Sequence, residues 1–425
     1  MSAVNELPAL MRDRSFWAMT ITQFLGAFND NLFKQLVLLL AVFSVPTAGE
    51  ATGDLQGHAM ALFALPFLLF SGFAGYLSDL YSKQRVIVLC KLAEIVVMLL
   101  GMLAFFAYNH TGFAGPLAVL FLMGMQSAFF GPGKYGILPE LLRPSDLPKA
   151  NGIILMTTFV AIILGTACAG FLKVQVPAAN QLWLVSAVCV IIAMVGTGTS
   201  LMIRRNPAAN PQLSFQLESL ALPTESRRLL WQDKPLLTAL LASCMFWLVG
   251  GLVHMSVNAL GKQLGLDERT TSLLVASMAI GITVGCLLAG TLSAGQFSSR
   301  LVRYGLWGIL VCLGLLAIPG GPHGQWLGKN GSLLVLVLLG MFAGIFAVPL
   351  QVFLQSRPPP DQKGRMIAAM NFANWVAILL ASLIYSGGIL ALNALGANSS
   401  NMFALTAVLI APVAWWYRPQ SEKLS

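Results

Sequence analysis

Apolar stretches of eighteen or more residues recur along the whole chain, and no other feature restricts its fold so tightly. Such a run, coiled at about 1.5 Å per residue, reaches across the roughly 30 Å hydrocarbon core of a bilayer, so a series of them predicts an all-α polytopic membrane protein. Twelve spans are expected, at roughly 15–43, 57–77, 86–108, 115–133, 150–172, 181–203, 236–260, 270–292, 302–319, 332–352, 366–388 and 401–417. With 57% hydrophobic and only 10% charged residues among 425, nothing is left over for a second soluble domain.

The net charge of +9 suggests nucleic acid only until the charges are placed. Most basic residues fall in short loops on one side, among them Arg12, Arg14, Arg143, Lys149, Arg204, Arg205, Arg300, Arg303, Arg357, Arg418 and Lys423. Lys173, Lys262, Arg269 and Lys329 fall on the other side. The positive-inside rule then predicts both termini in the cytoplasm and an even number of spans, with no nucleic-acid partner. The six cysteines lie in apolar segments without CxxC spacing, so they read as small buried hydrophobes; no metal or cofactor is expected.

The longest loop, 204–234, is expected to be a cytoplasmic linker between an N-terminal six-helix half, 1–203, and a C-terminal half, 235–425. About thirty residues cannot form a core of their own. The halves share weak repeats. Gly75-x3-Asp79-x3-Lys83-x-Arg85 is echoed by Gly290-x3-Ala294-x3-Ser298-x-Arg300, and Gly124 with Pro132 by Gly340 with Pro349, at a common offset of about 215 residues. Parallel repeats of this kind belong to transporters whose substrate site forms between two six-helix halves.

The first span carries charges that are out of place. An ionised group at mid-bilayer depth costs roughly 2.5–3.5 kcal/mol on insertion scales, so it faces a protein interior, a partner or a water-filled path. Gln23, Asp30 and Lys34 fall within about 40° of one another on a helix, close to small Gly26 and Ala27. Asp30 and Lys34, spaced i and i+4, could equally neutralise each other within the helix. Further polar residues within spans are Lys91, Glu94, Gln126, Asn258, Asn371 and Asn374. Lys91 stands six residues past Arg85 and is open to a second reading, in which it snorkels to the interface.

The string Gly75 to Arg85 resembles motif A of the major facilitator superfamily, and the resemblance implies that Gly75, Asp79, Lys83 and Arg85 brace one conformational state. A narrower resemblance follows from Gln23-Phe24-Leu25-x-Ala27-Phe28-x-Asp30-Asn31 and from Lys134-Tyr135-Gly136-Ile137-Leu138-x-Glu140-Leu141. Both strings, and the chain as a whole, are similar to the bacterial lysophospholipid transporters. Within the second stretch Gly131, Pro132 and Gly133 are expected to break the span-four helix.

The resemblance implies the major facilitator fold in the bacterial inner membrane. It also implies inward movement of lysophospholipid, chiefly lysophosphatidylethanolamine, from outer to inner leaflet for reacylation. The expected partners are the lysolipid, the membrane lipids and a cytoplasmic-side acyltransferase or acyl-carrier-protein synthetase, and the protein itself is expected to be a monomer. In that family an acid in span one and a base in span seven flank the cleft. Asp30 matches the acid, whereas the base position, seven residues after Trp247, is His254 rather than Arg, which opens the site to pH. Asn371 matches a family Asn, while Asn374 stands where the family tends to carry Glu. The expected substrate-binding set is Asp30, Gln23, Asn31, Lys34, Lys134, His254 and Asn371.

Two alternatives stay open at this level: a proton-coupled exporter of amphipathic drugs or metabolites, with Asp30 or Glu94 as proton carrier, and a non-transporting scaffold for an acyltransferase. Enzymatic chemistry is not expected. None of His58, His110, His254 and His323 begins an HxxxxD box, and no GxxxxGK[ST] loop exists to hold ATP.

Overall fold

The computed structural model describes residues 8–43, 54–143, 146–176, 178–212, 224–293, 298–320, 324–358 and 363–417, and every regular element among them is a helix. Eleven helices are long and apolar enough to cross a membrane: α1 (Arg14–Phe43), α2 (Gln56–Leu80), α3 (Lys83–Phe106), α4 (Ala114–Gly136), α5 (Leu147–Gln175), α6 (Trp183–Leu201), α7 (Lys234–Gln263), α8 (Glu268–Ser293), α9 (Ser299–Ala317), α10 (Gly328–Ser356) and α11 (Lys363–Ala394). A shorter apolar helix, α12 (Asn401–Trp416), follows. Each coincides with one of the twelve apolar runs. Residues 213–223 of the linker, Ala294 of the second-half motif, and Arg418 and Lys423 lie outside the described residues.

The chain forms two compact units. One comprises Met1–Val37 and Leu65–Ala221, the other Leu38–Ala64 and Leu222–Ser425. In the first unit the N-terminus of α1 is fixed by Asp13, whose Oδ1 accepts from the amides of Ser15 (2.8 Å) and Phe16 (3.2 Å). A carboxylate here satisfies orphan donors and complements the helix dipole. Its other oxygen takes Arg204, just beyond α6, at 2.7 Å, and around this clip Phe16, Met19, Ile87, Ile137, Leu141 and Ile154 form a buried cluster.

The helix α4 does not break where Gly131, Pro132 and Gly133 suggested, but runs on to Gly136 with Pro132 inside it. Gly133 and, three residues on, Gly136 serve close approach instead, whereas Gly131 faces open space. A Cβ on Gly133 would meet Ile87 at 3.2 Å, and one on Gly136 would meet the Lys83 side chain at 2.9 Å, so α4 presses directly on the start of α3.

In the second unit, α7 opens on Asp233, which caps the Leu236 amide at 3.1 Å and holds Arg357 Nε at 2.7 Å. Pro235 occupies the first turn, where a missing N–H costs nothing. The tightest contact is between α8 and α10. A Cβ built on Gly281, Gly285, Gly340 or Gly344 would lie 2.1, 2.0, 2.0 and 2.5 Å from the carbonyl oxygens of Val337, Met341, Met278 and Ile282 respectively. Both helices thus carry a GxxxG pair, and small residues at this spacing let two membrane helices touch backbone to backbone. Leu306, Leu313, Phe346, Leu350 and Phe403 are among the side chains that fill the adjoining core.

Candidate substrate site

Five of the expected binding residues come together in the first unit, on α1 and α4, with α5 supplying partners for Gln23 and Lys134. Gln23 is buried; its Nε2 donates to Thr157 Oγ1 at 2.7 Å, and its Oε1 accepts from Thr158 Oγ1 at 2.8 Å. Lys134, also buried, donates to the same Thr158 hydroxyl at 3.1 Å and lies 5.1 Å from the Tyr135 ring centroid. Two turns along α1 from Gln23, Asp30 accepts at Oδ2 from Ser127 Oγ at 2.6 Å, whereas its Oδ1 is shielded from solvent and accepts no hydrogen bond. Lys34 donates to Asn31 Oδ1 at 3.0 Å, and Asn31 in turn donates to the carbonyl of Ala27 at 2.8 Å. Both Lys34 and Lys134 are drawn electrostatically to Asp30. One carboxylate and two ammonium groups are thereby held by a scaffold of hydroxyls and amides. A buried carboxylate oxygen without a donor is costly to fold around, and such an atom marks a place where a ligand donor belongs.

Ser127, Thr157 and Thr158 were invisible to the sequence reading, because hydroxyl residues are common in membrane helices and bond their own backbone. Thr158 does so as well, to the carbonyl of Ile154 at 2.7 Å.

A second polar cluster lies where α1, α3 and α6 meet. Lys91 and Glu94 form an ion pair with 0% and 2% of their side chains exposed. Glu94 Oε1 also accepts from Asn29 Nδ2 at 3.0 Å, and Asn29 donates to the carbonyl of Cys189 at 3.2 Å. The snorkelling reading of Lys91 is therefore wrong. The lysine is turned inward because α1 and α6 leave it room: a Cβ on Gly196 would come within 2.8 Å of its Cε, and one on Gly26 within 3.3 Å of its Nζ.

The motif at the α2–α3 turn is tied together by two residues that the sequence reading did not single out for it. Lys83 pairs with Glu140 and lies 3.9 Å from Asp79. Asn206, beyond α6, donates to Glu140 and accepts at Oδ1 from Ser82 Oγ (3.2 Å) and the Gln84 amide (3.1 Å). Gly75 has open space where a Cβ would be, so no packing reason for glycine exists there in this structure. Arg85 is exposed.

The remaining expected site residues belong to the second unit. His254 is half-buried on α7, Asn371 is exposed on α11, and Asn374 accepts from Ser243 Oγ at 3.1 Å. A dense network joins the start of α2 to α7 and α11: Asn258 Nδ2 donates to Gln56 Oε1 at 2.8 Å, Gln56 Nε2 donates to Asp54 Oδ2 and Tyr385 Oη at 3.0 Å, and the Tyr385 hydroxyl donates to Asp54. Burial holds the Asp54 carboxyl above the ordinary carboxylate range.

Apolar helices of membrane length enclosing sparse, hydrogen-bonded charges of both signs define a polytopic membrane transporter. The major facilitator superfamily matches residues 16–382. Lysophospholipid transporters LplT of Cronobacter sakazakii and Klebsiella pneumoniae are each 30% identical, over 96% of this chain and 97% of the relative in the first case, and 90% and 91% in the second. Among solved structures, a D-xylose–proton symporter superposes with a TM-score of 0.73 at 15% identity, covering 97% of this chain and 98% of its own. A POT family transporter gives 0.72 at 12% identity with the same coverage, and both show the fold alone. The chain belongs to the major facilitator superfamily and, within it, to the lysophospholipid transporter family.

Proposed function

We propose that this protein carries lysophospholipids of the lysophosphatidylethanolamine class from the outer to the inner leaflet of the bacterial cytoplasmic membrane, where an acyltransferase restores the second chain. The observation that carries this reading is the state of Asp30, with one oxygen held by Ser127 and the other without a donor, close to two lysines. A zwitterionic headgroup needs both signs within a small polar patch, while its acyl chain stays among apolar side chains. The ammonium belongs at Asp30 Oδ1. Within the second unit, His254 on α7 and Asn371 on α11 serve substrate binding as well, and Gly75, Asp79, Lys83 and Arg85 brace one state of the transport cycle, with both termini in the cytoplasm.

Proton-coupled export with Glu94 as the carrier draws less support, because that carboxylate is committed to Lys91 and Asn29. The test is inward movement of labelled lysophosphatidylethanolamine into spheroplasts carrying Asp30→Asn. A hydrogen bond to a charged group contributes about 1.5–3 kcal/mol, so uptake should fall about ten- to hundredfold. Unchanged uptake by a well-inserted variant refutes the role of Asp30.

A further inference from the structure

A cavity of about 310 Å³ opens between the α2–α3 turn and the segment after α6, lined by Leu80, Tyr81, Ser82, Arg85, Arg205 and Asn206, with Pro207 and Ala208 at its side. Its floor is built rather than incidental. Asn206 is buried, and its amide is fully engaged by Glu140, Ser82 and the Gln84 backbone, so it presents a fixed surface. The charges around it divide cleanly. Arg204 is neutralised by Asp13, and Lys83 by Glu140 with Asp79 nearby. The two cations of the cavity lining, Arg85 and Arg205, have no acidic partner among the described residues.

We propose that this cavity is a second ligand site, separate from the Asp30 cluster, which binds the phosphate of an anionic phospholipid headgroup. Two guanidinium groups offer planar forks of N–H donors matched to phosphate oxygens. The volume is at the small end of ligand sites, which run from about 300 to 1,000 Å³, and suits a glycerophosphate headgroup. The source is argued from position. The cavity lies at the ends of two membrane-length helices, its rim carries Leu80 and Tyr81, and Tyr81 is 52% exposed. A basic pocket at the ends of membrane-length helices is well placed to meet lipid phosphates. The inference does not depend on which molecule is transported.

The test is native mass spectrometry of the full-length purified protein with phosphatidylglycerol or phosphatidylcholine of the same acyl chains, and with glycerol 3-phosphate as a soluble arm. Wild type should retain phosphatidylglycerol with at least about tenfold preference, and Arg85→Gln with Arg205→Gln should remove that preference. Arg205→Lys, which keeps the charge and loses the fork, should fall between them. Arg303→Gln, an exposed cation on α9, should bind as wild type. Glycerol 3-phosphate bound in the absence of lipid, and lost in the same double variant, supports the phosphate site with a soluble ester as its source. No preference in wild type, or a monodisperse double variant that still prefers phosphatidylglycerol, overturns the proposal, as does an Arg205→Lys protein indistinguishable from wild type should the double variant fail to fold.

Discussion

Glu94→Gln should be among the most damaging single substitutions in the first unit, although it removes only a charge. Lys91 has no exposed surface, its ammonium pairs with Glu94, and Gly196 and Gly26 crowd the methylene and ammonium ends. Breaking a buried pair by removing one partner leaves an uncompensated charge and costs about 3–5 kcal/mol, whereas replacing both partners with apolar residues of similar volume is close to neutral. Lys91→Met should therefore cost about as much as Glu94→Gln, because it leaves the Glu94 carboxylate buried without its cation. The double variant Lys91→Met with Glu94→Gln leaves no buried charge and keeps an amide oxygen for Asn29, so it should recover most of the loss, which makes the coupling energy about 3 kcal/mol or more. Thermal unfolding of the detergent-purified protein, followed by loss of the monodisperse peak, reads all four corners of the cycle. Additive losses in the double variant would refute the argument, because they would mean that each residue is held by something other than its partner.

Other expectations follow from single contacts. Gly340→Ala places a methyl about 2.0 Å from the Met278 carbonyl, so α8 and α10 must separate; a loss of at least about 1–3 kcal/mol in thermal stability checks it. Asp54, whose carboxyl is held above its ordinary range, binds its proton more tightly folded than unfolded, so its contribution is complete at low pH and is lost as pH rises through its folded-state value. Asp54→Asn should flatten that decline in a melting-temperature series starting near pH 4. Asn206→Ala should loosen the α2–α3 turn by removing acceptors for Ser82 and the Gln84 amide, seen as faster amide hydrogen exchange over 82–85 with little change over α8 and α10.

The spans were legible because each is a continuous apolar run, and a bilayer leaves such a run little choice. Asp30 was legible for the opposite reason, as a charge where none is cheap. What escaped notice depended on partners far away in sequence. Lys91 looked like a snorkelling residue from its distance to Arg85, and only α1 and α6 closing around it decide otherwise. Glu140 and Asn206 gain their roles by meeting each other and Lys83, residues that no local pattern links. Pro132 reads as a break in a string of letters, yet a membrane helix pressed on its neighbour at Gly133 and Gly136 runs through it. Ser127 and Thr158, the groups that hold Asp30 and Lys134, are ordinary residues until the geometry selects them.

The glycine contact between α8 and α10 also sets what these two helices can do in time. Each carbonyl sits where a side chain would otherwise be, so sliding one helix by a single residue drives a Cβ into backbone. The next register with glycine opposite carbonyl is four residues away, a translation of about 6 Å. No graded shear is available along this seam. Whatever displacement accompanies a transport cycle must carry α8 and α10 together as one rigid piece, and the sliding must be taken up where side chains, rather than main chains, make the contact.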